Sequence, residues 1–228
     1  TYFGRRTNQL DIETASKAYA DLITQYPNHD LNNEWRKKKA SALRQQNQDD
    51  EAIVTLGKIL DENQTEWEIA QLEIGNILMS TSPQRFTVAT NHYKAVIDKI
   101  QTKERKDEAL LNYGICLLKT NQGIDAIRVF QNLIQGSKNE QIITDSFQFL
   151  ASCFEKEKNM KESIKLLEES LKKYPQQKNQ LFLHKECVRL YHLLSDFESA
   201  IKHLNIVYKE TTDPNSQAEA LFQLAGYD

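Results

Sequence analysis

No stretch of this 228-residue chain is apolar over a length that could span a bilayer, and its first residues lack a basic, apolar, small-residue leader. Direct insertion into a membrane is therefore not expected. A phosphate-tracking surface needs clustered lysine and arginine, yet the net charge is −3 and only Arg36-Lys37-Lys38-Lys39 forms a run. On a helix those four side chains point in different directions and read as a solvated face, so no nucleic-acid partner is expected. Cysteine is scarce. Cys116, Cys153 and Cys187 lie on helices whose axes would stand about 8–10 Å apart, beyond easy disulfide reach, and they read as reduced packing residues. There is no phosphate-cradling glycine motif and no serine nucleophile elbow. His184, Cys187 and Tyr191 fall at i, i+3 and i+7, but a zinc site wants three or four ligands and none stands nearby in sequence, so they read as core. No catalytic residue, metal or cofactor is expected.

What the chain does have is a period. A small residue recurs every 37 positions, at Ala15, Ala52, Ala89, Ala126, Ser163 and Ala200. A bulky apolar residue follows four later, at Tyr19, Leu56, Tyr93, Phe130, Leu167 and Leu204, and mostly apolar residues stand at seven and eight. These share one face of a helix, here called helix B. Twelve before the anchor stands a second small or compact residue, at Ala40, Gly114, Ala151 and Val188, on a preceding helix A. Small residues facing one another let two antiparallel helices approach closely. Polar turns join A to B at Asn47-Gln48-Asp49, Asn121-Gln122-Gly123, Lys158-Asn159 and Ser195-Asp196, where Asn or Gly tolerates positive φ and Asp or Ser can cap the next helix. Unit three departs from the pattern: Gly75 lies fourteen before its anchor, which puts two extra residues in the turn Ser80-Thr81-Ser82-Pro83-Gln84.

A strict period of this size predicts a stacked repeat array. With 39% hydrophobic residues the chain can bury a continuous core, and it reads as one repeat domain over 1–228: a partial repeat at 1–30, repeats at 33–66, 67–103, 107–140, 144–177 and 181–214, and the start of another at 218–228. Both ends read as cut from a longer protein. Thr1 to Arg6 would be the tail of a helix A. Apolar surface around Tyr2 and Phe3, and around Leu221, Phe222 and Leu224, is expected to promote end-to-end self-association.

The residues Leu110, Tyr113, Gly114, Leu117, Ala126, Phe130, Leu133 and Ile134, and again Phe147, Leu150, Ala151, Phe154, Ser163, Leu167, Leu171 and Pro175, resemble the tetratricopeptide repeat family over nearly the whole chain. The endings Leu22 to Pro27 and Leu171 to Pro175 look like repeats of bacterial cell-envelope proteins of the outer-membrane assembly and Tol-Pal-associated type. The resemblance implies an all-α, right-handed α-solenoid of antiparallel helix pairs; the location stays open between a bacterial periplasm or cell envelope and the cytoplasm. The resemblance also implies a protein-binding scaffold whose A helices line a concave groove. The family's groove offsets place Leu72, Asn76, Met79, Leu111, Ile115 and Leu118 in an apolar middle, with Lys185 and Arg189 at a polar edge. The pair contacts would instead use Leu110, Tyr113 and Leu117. The family's clamp for a terminal carboxylate is not carried over: Lys37 fits, but Glu73 and Glu108 stand where neutral or basic groups are needed. A peptide segment or partner helix is therefore the expected ligand. The other functions open at this point are an accessory or regulatory domain of a larger enzyme and an RNA-binding helical repeat.

Overall fold

A computed structural model describes residues 2–81 and 85–227, with side chains from 11–80 and 85–227. All regular structure among the described residues is helical. The helices are α1 (Tyr2–Gln25), α2 (Asn32–Gln45), α3 (Asp49–Leu56), α4 (Gln64–Thr81), α5 (Phe86–Val96), α6 (Lys103–Lys119), α7 (Gly123–Gly136), α8 (Glu140–Lys156), α9 (Met160–Lys173), α10 (Gln180–Leu193), α11 (Phe197–Glu210) and α12 (Pro214–Ala225). The chain divides into two compact units, Thr1–Thr120 and Asn121–Asp228. Within each, every helix packs on the next in sequence. This is the all-α helix-pair architecture that the period predicts.

The turns follow from a single residue. Asn47, Asn121, Lys158 and Ser195 all adopt φ near 60°, each two residues before a helix B, and among the described residues no glycine does. Gly123 instead opens α7 with ordinary φ. At three of these turns the N–H of the following residue reaches back five positions: Gln48 to the Leu43 carbonyl at 2.9 Å, Asn159 to Phe154 at 2.8 Å and Asp196 to Tyr191 at 3.0 Å. That bond closes helix A in a Schellman motif. Asn159 and Asp196 then cap the next helix, each side chain accepting from a backbone N–H three residues on. The unit-three turn at Ser82-Pro83-Gln84 lies outside the described residues, as do the side chains of Tyr2 and Phe3.

In the first unit, Ala52 and Ala89 are fully buried, with Leu56 and Tyr93 buried four residues after them. Gly75 is required by Tyr93. A Cβ there would stand 2.7 Å from Tyr93 Cε1, with Cζ and the hydroxyl oxygen closer still, so the tyrosine side chain occupies the space that any side chain would need. Tyr93 Oη donates to Asn76 Oδ1 at 3.2 Å, and Asn112 Nδ2 donates to both of these atoms. Ahead of Ala15 the structure departs from the expected end of a helix A. α1 is continuous from Tyr2 to Gln25, with no turn separating Arg6 from the helix that carries Ala15. The stretch Thr7-Asn8-Gln9 has neither proline nor glycine to interrupt it.

Glu68, which nothing in the sequence pattern singles out, is the most buried carboxylate among the described residues and joins successive A helices. It projects from α4 to the start of α6, accepting from the backbone N–H of Gln101 at 2.7 Å and Thr102 at 3.2 Å, and pairing with Arg105 at 3.1 Å. Burial pushes its pKa up. Hydrogen bonds from Gln64, the Thr102 hydroxyl and the two N–H groups outweigh this and hold the pKa at about 2. An anion at a helix N-terminus also meets the positive end of the helix dipole.

The second unit repeats the scheme. Ala126, Ser163 and Ala200 are buried, as are Phe130, Leu167 and Leu204 four residues later, and Ala151 and Val188 on the facing helices. Phe130 stacks on Phe149 with ring centroids 5.7 Å apart. Cys153 and Cys187 are buried free thiols whose pKa values burial pushes up to about 11 and about 12; Cys116 in the first unit is likewise buried, at about 12. Such thiols are inert packing groups.

Candidate functional site

The apolar groove positions of the first unit are largely covered by the chain itself. Leu72, Leu111 and Leu118 are buried, Met79 and Ile115 are half-buried, and Asn76 is exposed. The sequence reading treats Leu111 and Leu118 as open and Leu110, Tyr113 and Leu117 as core; Leu117 is buried and Leu110 and Tyr113 are half-buried against the core, but Leu111 and Leu118 are buried as well. The physical reason is that α4 packs on α6 as well as on its own partner α5. This A-to-A contact removes from solvent a stripe that one helix pair would leave open. A helix apolar on all sides, as α6 is around Leu110 to Leu118, is covered by neighbours of its own chain.

Lys185 and Arg189, the polar edge, lie in the second unit on the rim of a cleft of about 690 Å³ bounded by α10, α11 and α12. Its floor is built from Val188, Leu204, Val207 and Ala220, all buried. Its lip carries Leu193 and Phe222, both exposed, Phe222 at 82%. The sequence puts these residues together through the repeat: Phe222 stands 37 after Lys185 and three before Ala225, the position that matches Val188. α12 starts cleanly because Pro214 sits in its first turn and Asp213 accepts from the N–H groups of Asn215 and Ser216.

The rim is ordered by polar contacts. Arg189 reaches Glu155 on α8 and Glu186 on its own helix, both at 2.8 Å, and these carboxylates raise its already high pKa further. Lys185 Nζ donates to the Ser216 hydroxyl at 3.2 Å, tying α10 to α12. At the far end His192 Nδ1 lies 2.9 Å from the Tyr227 hydroxyl, and Phe197 packs against both rings at 5.5–5.6 Å. Of these three, His192 and Tyr227 line the cleft.

Behind α10, His184 Nδ1 lies 2.8 Å from His203 Nδ1, His203 Nε2 lies 3.3 Å from Glu168, and the Tyr191 hydroxyl donates to the same carboxylate at 2.6 Å. Burial first, and the neighbouring His203 second, lower the His184 pKa to about 4. Cys187 is fully buried beside this array. The three residues singled out at i, i+3 and i+7 therefore pack between α10 and its neighbours, in contact with partners from α9 and α11. Among the described residues no group of three or more His, Cys, Asp or Glu is arranged to hold a metal ion. No described helix is long and apolar enough to cross a membrane.

A Tetratricopeptide repeat family model matches residues 150–176, from the second half of α8 through α9 and the turn that follows. No curated protein matches the chain. Solved structures do. A tetratricopeptide repeat protein from Parabacteroides merdae is 15% identical, over 97% of this chain and 82% of that one, with a TM-score of 0.67. PilW, a widely conserved type IV pilus biogenesis factor, is 14% identical over 95% and 94% of the two chains, with a TM-score of 0.66. YrrB, a protein of this fold with an unusual peptide-binding site, is 15% identical over 90% and 98%, with a TM-score of 0.58. At these identities the likeness is one of fold: the chain has the tetratricopeptide-repeat fold.

Proposed function

We propose that this chain is a protein-binding scaffold that performs no chemistry of its own and holds an apolar peptide segment or a partner helix in the cleft between α10 and α12. The observation that carries this reading is the cleft itself, an apolar concavity of about 690 Å³ with the aromatic side chain of Phe222 exposed at its lip and a charged rim. Apolar centres with polar rims and aromatic anchors are the usual anatomy of partner sites. YrrB binds a peptide on the same fold, which supports a peptide as occupant here. In the first unit, Asn76, Met79 and Ile115 are the accessible members of the groove set and extend the proposal to the exposed side of α4 and α6.

A peptide library selected against the chain tests the reading. Selected peptides should carry a large apolar residue, and Phe222→Glu should weaken them at least tenfold, because a charge would then be desolvated at the anchor. The exposed position of Phe222 lets helicity survive the substitution. Selected peptides indifferent to Phe222→Glu, with helicity intact, would remove the cleft as the site.

A further inference from the structure

The polar array behind α10 departs from its own repeat. Phe147 and Leu166 stand 37 residues before His184 and His203, and both are apolar and buried. The repeat therefore closes without histidines at these two places. The pair also adjoins the cleft in sequence. Leu204 and Val207, part of its floor, follow His203 by one and four residues, and Lys185 and Val188 follow His184 in the same way.

Hydrogen-bond polarity fixes where the protons of the array lie. Glu168 Oε1 accepts from the Tyr191 hydroxyl at 2.6 Å and, as a carboxylate, has no proton to give, so His203 Nε2 at 3.3 Å carries one. Neutral His203 then has a bare Nδ1. The 2.8 Å contact between the two Nδ1 atoms holds a single proton, and that proton belongs to His184. One added proton is accommodated by reversing this bond. His203 becomes the imidazolium, donating through Nε2 to Glu168 and through Nδ1 to His184, whose own proton moves to Nε2. A second added proton finds no place, because two cationic rings would then face each other with N–H donors at 2.8 Å. The other titratable groups in electrostatic contact with the array are Glu168 from α9, and Cys187, Tyr191, Glu186 and Asp196 from α10 and the turn after it.

We infer that the His184–His203 contact is a latch between α10 and α11 that stays closed when the pair takes up one proton and opens when it takes up a second, and that opening releases the segment held in the cleft. The release rests on the cleft reading; the latch does not. Closed, His184 is held at about 4 by burial and by the neighbouring His203. Opened into water it regains the ordinary 6.5, so the open form takes up a proton that the closed form refuses and acid favours opening. From pH 7 to pH 5 the ratio of open to closed rises about twentyfold.

Nitrogen NMR spectra of the histidine rings in the full chain test the latch. At pH 8 His184 should carry its proton on Nδ1 and His203 on Nε2, and on acidification His203 should charge while His184 stays neutral. Amide protection in α10 and α11, corrected for intrinsic exchange, should fall at least tenfold between pH 7 and pH 5. The fall should vanish in the double variant His184→Phe, His203→Leu, which installs the pair of the preceding repeat. Both rings protonated on Nε2 at pH 8, or an equal fall in the double variant, would overturn the latch. A capped, library-selected peptide without titratable side chains tests the release. It should bind the parent at least tenfold more weakly at pH 5 than at pH 7, and the double variant equally at both. Binding indifferent to pH while α10 and α11 open would overturn the release. Phe222→Glu leaves the histidines untouched, so it should weaken this peptide without changing the spectra, and failure of the cleft reading is seen separately.

Discussion

His184 shows how one residue can depart from its repeat and make the fold respond to pH. In the two preceding repeats the matching positions are Leu110 and Phe147, both apolar. His184 is buried against His203, and its pKa lies at about 4, below the ordinary 6.5. Above pH 6.5 it is neutral whether the chain is folded or not, so it contributes no pH dependence. Between 6.5 and about 4 the unfolded chain takes up a proton that the folded chain refuses, and stability falls as pH falls. From pH 7 to pH 5 this amounts to about 2 kcal/mol at about 1.36 kcal/mol per pKa unit. His184→Phe should remove that share of the slope. Denaturant titrations of parent and variant at both pH values measure it, and equal pH dependence in the two would show that His184 is not the sensor. Glu68 acts at the same scale with the other charge. A glutamate on a helix reads as solvated, and only the spacing of 37 residues to Arg105 hints at its partner, so its burial at the start of α6 became visible only in three dimensions.

Each helix pair is set by its turn and its small-residue contact, and both were legible in the sequence. The anchors from Ala52 to Ala200 are buried where the period places them, and Asn47, Asn121, Lys158 and Ser195 sit at the predicted breaks. Which residue takes the positive φ was less legible, because the Schellman bond imposes it on whatever residue falls there, even lysine. A non-glycine residue in that region is disfavoured by about 1 kcal/mol or more. Lys158→Gly should therefore stabilise the α8–α9 pair by about 0.5–1 kcal/mol, after the extra freedom that glycine gives the unfolded chain is subtracted. Thermal or denaturant unfolding reads the shift. A loss of stability would mean that Lys158 makes contacts outweighing its backbone strain. The assignment of Leu111 and Leu118 to an open groove failed at this same scale. Helix periodicity marks which side is apolar, but not which neighbouring helix will cover it.

For the whole molecule, the period specified the helix-pair array because every unit repeats the same local instructions, so errors in one unit do not propagate. The cleft was only half legible. Lys185 and Arg189 were read as the polar edge of the groove through Leu72 to Leu118, not of this cleft, and the groove offsets were not carried on to Ala225, where they give Phe222 directly. Its floor, from Val188, Leu204, Val207 and Ala220, depends on how three helices meet, which no single periodicity states. Amide hydrogen exchange of the chain with and without a library-selected peptide tests the binding account most directly. The account predicts added protection confined to α10 and α12, over residues 182–193 and 214–227, with the helix B amides of α7 and α9 unchanged. Protection appearing on α7 and α9 instead, with α10 and α12 exchanging as in the free chain, would contradict it.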